Sequence, residues 1–277
     1  MGNAYLSLDT LTGTAALNVG TAYDTRLLGL IENVSRQVDK FCNRVFYFYH
    51  ETKTFSGDGS RELPVPDLVK IGTLLEDNND DGTFDTTWAV ADYLYEPINA
   101  NPTADWGRPY SRIKVSLKVG GAQDVFLQAE QNYQIVGTWG YRKVMKDSGL
   151  NGTLANGTAT SLVLDGSASG TVDVGHTILM DAEQVYVTAY SGTAATVERA
   201  KNGSTGTAHA NADVNIILYP GPISEAVLIQ TARLWKRKDS GFASQIGMPE
   251  TGQMMTMSGL DRDVKELIQG YRKLVIP

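Results

Sequence analysis

The densest run of chemistry-bearing side chains is Glu76-Asp77-Asn78-Asn79-Asp80-Asp81-Gly82, in which Asp77, Asn79, Asp81 and Gly82 hold the first, third, fifth and sixth places of a calcium loop. Oxygen ligands at that spacing converge on a hard cation, and the glycine makes the sharp turn. The bidentate acid that closes such a loop belongs at the twelfth place, which is Trp88 here, and no helical pattern flanks the run. The alternative is a β-hairpin tip, where Asn, Asp and Gly recur because they tolerate left-handed backbone. A hairpin tip with no resident metal is the expectation adopted.

Nucleophilic and acid-base chemistry finds less to stand on. His50, His176 and His209 lie in three separate segments, none beside a nucleophile, and the last two sit in turn-like contexts without metal-ligand spacing. They read as ordinary surface or turn histidines. Cys42 falls near the apolar face of a helical pattern and reads as a small buried hydrophobe; with no second cysteine there is no internal disulfide. No Gly-rich loop stands between a strand and a helix, so nothing suggests a nucleotide. The sequons at Asn33, Asn151, Asn156 and Asn202 lack a secretion signal, and the Asn-Gly pairs among them read as tight turns. Arg233, Lys236, Arg237 and Lys238, followed by Arg262, Lys265, Arg272 and Lys273, give the last stretch a positive bias. They suit helix C-termini or an acidic partner. No catalytic residue, cofactor or metal is expected.

These residues need a scaffold, and the sequence outlines one. The chain has 277 residues, 42% apolar and 20% charged, with a net charge of -7, enough for real cores and without the footprint of a nucleic-acid binder. No stretch reaches membrane-spanning length, and the N-terminus has no leader pattern, so a soluble, unprocessed chain is expected. Leu27, Leu28, Ile31, Val34, Val38, Phe41 and Val45 mark one face of a helix over 24–44 with Asp24 or Thr25 as its cap. Short runs at Val69–Leu75, Asp92–Tyr95, Arg112–Val119 and Tyr133–Trp139 predict a small antiparallel sheet, with Trp106 and Tyr110 pinning a Pro-rich loop over 97–109. Residues 150–220 are poor in charge and contain none of the four tryptophans. Their runs Ser161–Leu164, Thr177–Met180, Gln184–Tyr190, Ala195–Arg199 and Val214–Tyr219 predict a β-barrel or sandwich. Helical period returns after Pro222 and again from Leu260, with Ser224 and Asp261 as caps; between them Gly241 to Gly259, with Met248, Met254, Met255 and Met257, reads as a flexible loop. The expected fold class is α+β: terminal helices packed together with a small antiparallel sheet (1–149 and 221–277), plus an inserted all-β module (150–220).

The opening Tyr5-Leu6-Ser7-Leu8, then Asp24, Leu28, Ile31, Ser35, Val38 and Cys42-Asn43-Arg44-Val45-Phe46, resembles the first helix of tailed-bacteriophage head-tail connector proteins. The acidic 77–82 hairpin, Asp92-Tyr93-Leu94-Tyr95-Glu96-Pro97, Pro109-Tyr110, Gly137-Thr138-Trp139-Gly140-Tyr141 and Pro222-Ile223-Ser224-Glu225-Ala226 follow in similar order. The stretch from Val174-Gly175 through Glu183-Gln184-Val185-Tyr186-Val187, Val197-Glu198-Arg199 and Asn202-Gly203-Ser204 to His209 resembles a β-module of phage structural proteins; that insert departs from short family members. The resemblance implies a non-enzymatic virion protein of the neck, assembled in the host cytoplasm. It implies a ring of about twelve copies under the portal protein, linked to the next neck, stopper or tail protein, around a channel that double-stranded DNA crosses without specific binding. It further implies a portal-docking segment of Leu267, Ile268, Tyr271, Arg272, Leu274, Val275, Ile276 and Pro277. A competing reading is a surface β-module that binds protein or glycan, for which only Tyr186, Tyr190 and Tyr219 could form an aromatic platform in 150–220.

Overall fold

The computed structural model describes residues 2–14, 17, 19–118, 121–237, 245–248, 253–256 and 259–274. Twelve strands fall in two antiparallel assemblies, an open six-stranded sheet and a closed six-stranded barrel, so the chain is mostly β. This corrects the expected fold of terminal helices packed together with a small sheet. Helices four or five turns long stand out in a search for periodicity, whereas long strands such as the 15-residue Glu62–Glu76 and the 11-residue Val144–Leu154 run through Pro, Gly, Asn and Asp that read as breaks. Contacts divide the chain into two units: Val45–Val144 with Asn202–Ser204, and Met1–Arg44 with Met145–Lys201 and Thr205–Pro277.

In the first of these, β1 (Tyr49–Gly57), β2 (Glu62–Glu76), β3 (Thr86–Thr87), β4 (Tyr93–Glu96), β5 (Tyr110–Val115) and β6 (Ala129–Trp139) form one sheet. Its order is β1-β6-β2-β5-β4, with β3 paired to β2. Alternate residues of β6 face inward: Tyr133, Ile135 and Trp139 are fully buried against Leu68, Leu74 and Ile113. Strand β2 starts seven residues earlier than the apolar run suggested and passes through Pro64 and Pro66. Both prolines are exposed, and the register to β5 shifts just beyond Pro64, a bulge of the kind that accommodates a residue lacking a ladder donor. The loop over 97–109 is held by Ala100, fully buried, and by Tyr110 stacked on Tyr95 at 4.6 Å. Trp106 does not pin it: that side chain is 74% exposed.

The other unit joins helices to the barrel. Helix α1 (Leu8–Thr14) precedes α2 (Asp24–Cys42), whose buried face is Leu27, Ile31, Val34, Ser35, Val38 and Cys42. A 3-10 turn at Thr21–Tyr23 leads into α2, so neither Asp24 nor Thr25 caps it; Asn43 closes it in left-handed backbone at φ 52°. Strands β7 (Val144–Leu154), β8 (Ser161–Leu164), β9 (Thr177–Met180), β10 (Glu183–Ser191), β11 (Ala194–Lys201) and β12 (His209–Leu218) close in the order β10-β11-β8-β7-β12-β9. Closure leaves no open edge. The interior is apolar, with Leu154, Leu162, Ile178, Met180, Val185, Val187 and Val214 fully buried. Helix α3 (Gly221–Lys236) begins after Pro220 with a proline in its first turn, not at Ser224. Gln245–Met248 and Gln253–Thr256 pair as a hairpin, β13 and β14, inside the stretch read as a flexible loop; its other residues up to 258, Met257 among them, lie outside the described ones. Helix α4 (Arg262–Ile268) then follows Asp261.

Candidate functional site

The N-terminal arm is the seam of its unit. Residues 2–8 are all buried. The Tyr5 amide donates to Ser35 Oγ at 3.1 Å and its hydroxyl to Asp39 Oδ1 at 2.6 Å, while its ring lies 4.6 Å from that of Tyr219. Arg36 sits over the Tyr5 ring, pairs with Asp39 at 2.9 Å and donates to the Asn3 carbonyl. On the barrel side, Thr177 donates to Asn3 Oδ1, Ser7 to Asp173 Oδ2, and the Leu8 amide to the Val174 carbonyl. Tyr186 reaches Glu32 of α2 at 2.8 Å and Tyr190 reaches Asp9 of α1 at 2.9 Å. Burial pushes the Asp39 carboxyl up to about 6, against the pull of Arg36 and Tyr5. Asp173 is raised too, first by burial and then by the neighbouring Asp9 charge.

A second cluster, absent from the candidates read by spacing, closes one end of the barrel. His209, read as a turn histidine, is 2% exposed at the start of β12. Its Nδ1 lies 2.8 Å from Asp181 Oδ2 and its Nε2 2.8 Å from Glu183 Oε2. Arg199 grips the same Glu183 in two bonds of 2.7 Å and also donates to the carbonyls of Asn156, Ala159 and Thr207. The amides of Ala200 and Thr207 complete the carboxylate's shell. Burial alone would raise Glu183, yet the donors outweigh it and hold the carboxyl down to about 2. His209 and Glu183 are at 1% side-chain exposure while Asp181 stands at the surface at 70%; the set clamps five segments of the barrel. Strand alternation does not mark it: Asp181 stands in a turn at φ 52°, so its place two residues before Glu183 is not that of one strand face.

The Asp77 loop resolves as a turn. Asp77 Oδ1 accepts the amides of Asn79 and Asp81 at 3.3 Å each, and Oδ2 accepts that of Gly82 at 2.8 Å, so both oxygens are turned onto their own backbone. Asp80 and Gly82 take left-handed backbone at φ 58° and 83°. Trp88, at the place of the missing acid, is a core residue: it stacks on Phe126 at 4.8 Å and donates its indole N–H to buried Glu76 at 2.7 Å, which Tyr133 also reaches. Among the described residues no group of three or more His, Cys, Asp and Glu is placed to hold a metal. Adding calcium and then a chelator is expected to leave the melting temperature unchanged to within about 1 °C; a calcium-dependent rise of several degrees would restore the metal reading.

The remaining candidates are also placed. His176 accepts the Asp173 amide at 3.0 Å, and burial holds it down to about 4; His50 faces Thr138 across the sheet and is lowered by burial and then by Lys143. Cys42 is buried, its thiol pushed up to about 12 by burial, which leaves it inert. Arg233 and Arg237 are engaged within the unit: Arg233 pairs with Asp261 and Asp263 and Arg237 with Asp261, bolting α3 to α4, so the supposed cap carboxylate of Asp261 is a salt-bridge acceptor. Lys238 lies outside the described residues. Of the docking segment, Ile268 is fully buried and Leu267 is 39% exposed. Tyr271 is half-buried, Arg272 lies over the Phe41 ring, and the Lys273 amide donates to the Cys42 carbonyl at 2.8 Å. Leu274 is 77% exposed, and Val275, Ile276 and Pro277 lie outside the described residues.

No protein-family model and no curated protein matches the chain. Function must therefore be argued from the residues and their geometry. No helix among the described residues is long and apolar enough to cross a membrane.

Proposed function

We propose that this chain is a structural head-tail connector of a tailed bacteriophage: a ring that docks under the portal protein, joins it to the next neck or tail protein and surrounds the path of the DNA. The observation that carries the reading is the resemblance of segments far apart in sequence, two of which meet in the fold. Tyr5 of the opening motif donates its amide to Ser35 of the helix motif in a buried bond. Other matching segments form the 77–82 turn, β4, the start of β5, the end of β6 and the start of α3. A net charge of -7 per copy suits a wall past which a polyanion moves. The competing surface-binding reading loses its platform: Tyr186 is 1% exposed, Tyr190 is bonded to Asp9, and Tyr219 packs on Tyr5.

The deciding experiment mixes the purified chain with the portal protein of the same genome and images the product by electron microscopy. A ring stacked on the portal is expected; no association with a competent portal ring would overturn the proposal. The structure also refines where to cut. Deleting Leu267–Pro277 removes buried Ile268 and the Lys273 bond to α2, so it costs stability as well as docking. Deleting only Leu274–Pro277 spares both. That shorter deletion is expected to leave the melting temperature within about 1–2 °C of wild type and to weaken portal binding roughly tenfold or more, as loss of apolar anchors does. Unchanged binding would remove the C-terminal segment from the interface.

A further inference from the structure

Two features on different parts of the chain match each other. The first is a knob. The loop over 97–109 is tightly braced: Ala100 N–H donates to the Pro97 carbonyl, Arg108 N–H to Ala100, and Gly107 N–H to Ala104. A Cβ at Gly107 would lie 1.8 Å from the Asn101 carbonyl oxygen, so the chain folds on itself there with no room to spare. From this rigid loop Trp106 and Ile98 project 74% and 75% exposed, and exposed Asp105 immediately precedes Trp106 in the chain. A large aromatic held out to water on a braced loop is the form a binding anchor takes, because little order is left to impose on contact.

The second is a hole. Between α2 and α3 lies a groove of about 350 Å³ lined by Arg26, Gly29, Leu30, Asn33, Leu234 and Trp235. Trp235 forms its floor, 5% exposed, with the Arg26 guanidinium 5.7 Å above the ring. At Gly29 an added Cβ would meet nothing within 4 Å, so the helix backbone itself is bare there. The knob carries an acid next to its tryptophan in the chain, and the hole has a cation at its rim.

We propose that Trp106 of one copy seats in the α2–α3 groove of the next, with Asp105 pairing to Arg26. Because knob and hole are different surfaces of the same chain, the contact is head-to-tail and propagates around a ring. This rests on the connector reading above and names the surface by which its copies join.

The test combines a blocked groove, a charge swap and a crosslink. Gly29→Met fills the groove at a position where replacing glycine favours the helix, so the fold is kept while ring formation on the portal is expected to fall roughly tenfold or more, as it is for Trp106→Ala. Asp105→Arg and Arg26→Asp should each impair assembly and together restore it. An Ala104→Cys chain, which keeps Trp106, mixed with an Asn33→Cys chain should crosslink into heterodimers under oxidation, and the double variant should give a ladder. If wild type rings on the portal but Gly29→Met rings equally well and no crosslink forms, the inference is overturned and the connector reading stands. Rings that form normally with Trp106→Ala yet fail to engage the portal would assign Trp106 to the portal and overturn it likewise. If wild type forms no ring with a competent portal, the reading itself falls.

Discussion

Glu183→Ala is expected to lower the melting temperature by roughly 6–20 °C. Removing this carboxylate leaves Arg199 and His209, at 7% and 1% side-chain exposure, without the acid that both face. Breaking a buried pair from one side costs about 3–5 kcal/mol, and each kcal/mol moves the midpoint by about 2–4 °C in a chain this long. Removing both charges together avoids the orphan: Glu183→Ala with Arg199→Met should recover a good part of the loss. Acidity provides a second readout. Glu183 ordinarily titrates near 4.5 and is held down to about 2 here, so its contribution is present above 4.5 and is lost as pH falls through 2. Glu183→Gln should flatten the stability slope in that window. Circular dichroism melts at pH 7 and across the acid range decide the matter, and a drop of under about 2 °C for Glu183→Ala would mean the clamp is not what closes the barrel.

Tyr5→Ala should be nearly as damaging, at about 3–5 kcal/mol, since it deletes a ring that is 1% exposed between α2 and the barrel. Tyr5→Phe keeps the ring and loses only the donor to Asp39, for about 1–3 kcal/mol. The pH dependence runs opposite to that of Glu183. Asp39 is raised from its ordinary 3.8 to about 6, so what it contributes is complete below 3.8 and lost as pH rises through 6; Asp173 is shifted in the same direction. The lowered His176 and His50 act in the opposite sense over the same range, so the Asp39 share is read against Asp39→Asn: relative to that variant, wild type should lose stability between pH 5 and pH 7.5. Tyr5→Phe removes a bond that favours ionised Asp39 and should steepen that difference. A gap to Asp39→Asn that stays constant from pH 5 to 7.5 would show that the seam does not hold Asp39 raised.

Much of this scaffold was legible and some was not, for identifiable reasons. Helix α2 was readable from six apolar positions, since an amphipathic face repeats over five turns, and it starts at Asp24 as read; its cap was not readable, because a 3-10 turn leads in where a capping side chain was expected, and Val45 lies beyond its end at Cys42. Strands β8 and β9 have the bounds read from their apolar runs. Strand β2 was truncated by its prolines, which normally end a strand and here sit at a bulge. The His209 clamp was hidden because its members come from turns and strand ends 28 residues apart, and alternation says nothing about which turns meet. Trp106 was misread because a tryptophan in a proline-rich loop is usually packed; exposure is a property of the folded surface and leaves no mark in spacing.

The buried N-terminal arm sets a schedule for the protein's making. Its partners run from Asp173 to Tyr219, as much as 174 residues downstream between bonded pairs. At about 5–20 residues per second the ribosome needs roughly 10–40 s after the arm emerges to deliver Tyr219. Through that interval the arm has no barrel to fold onto, so the helical half of this unit can be completed only after the barrel exists.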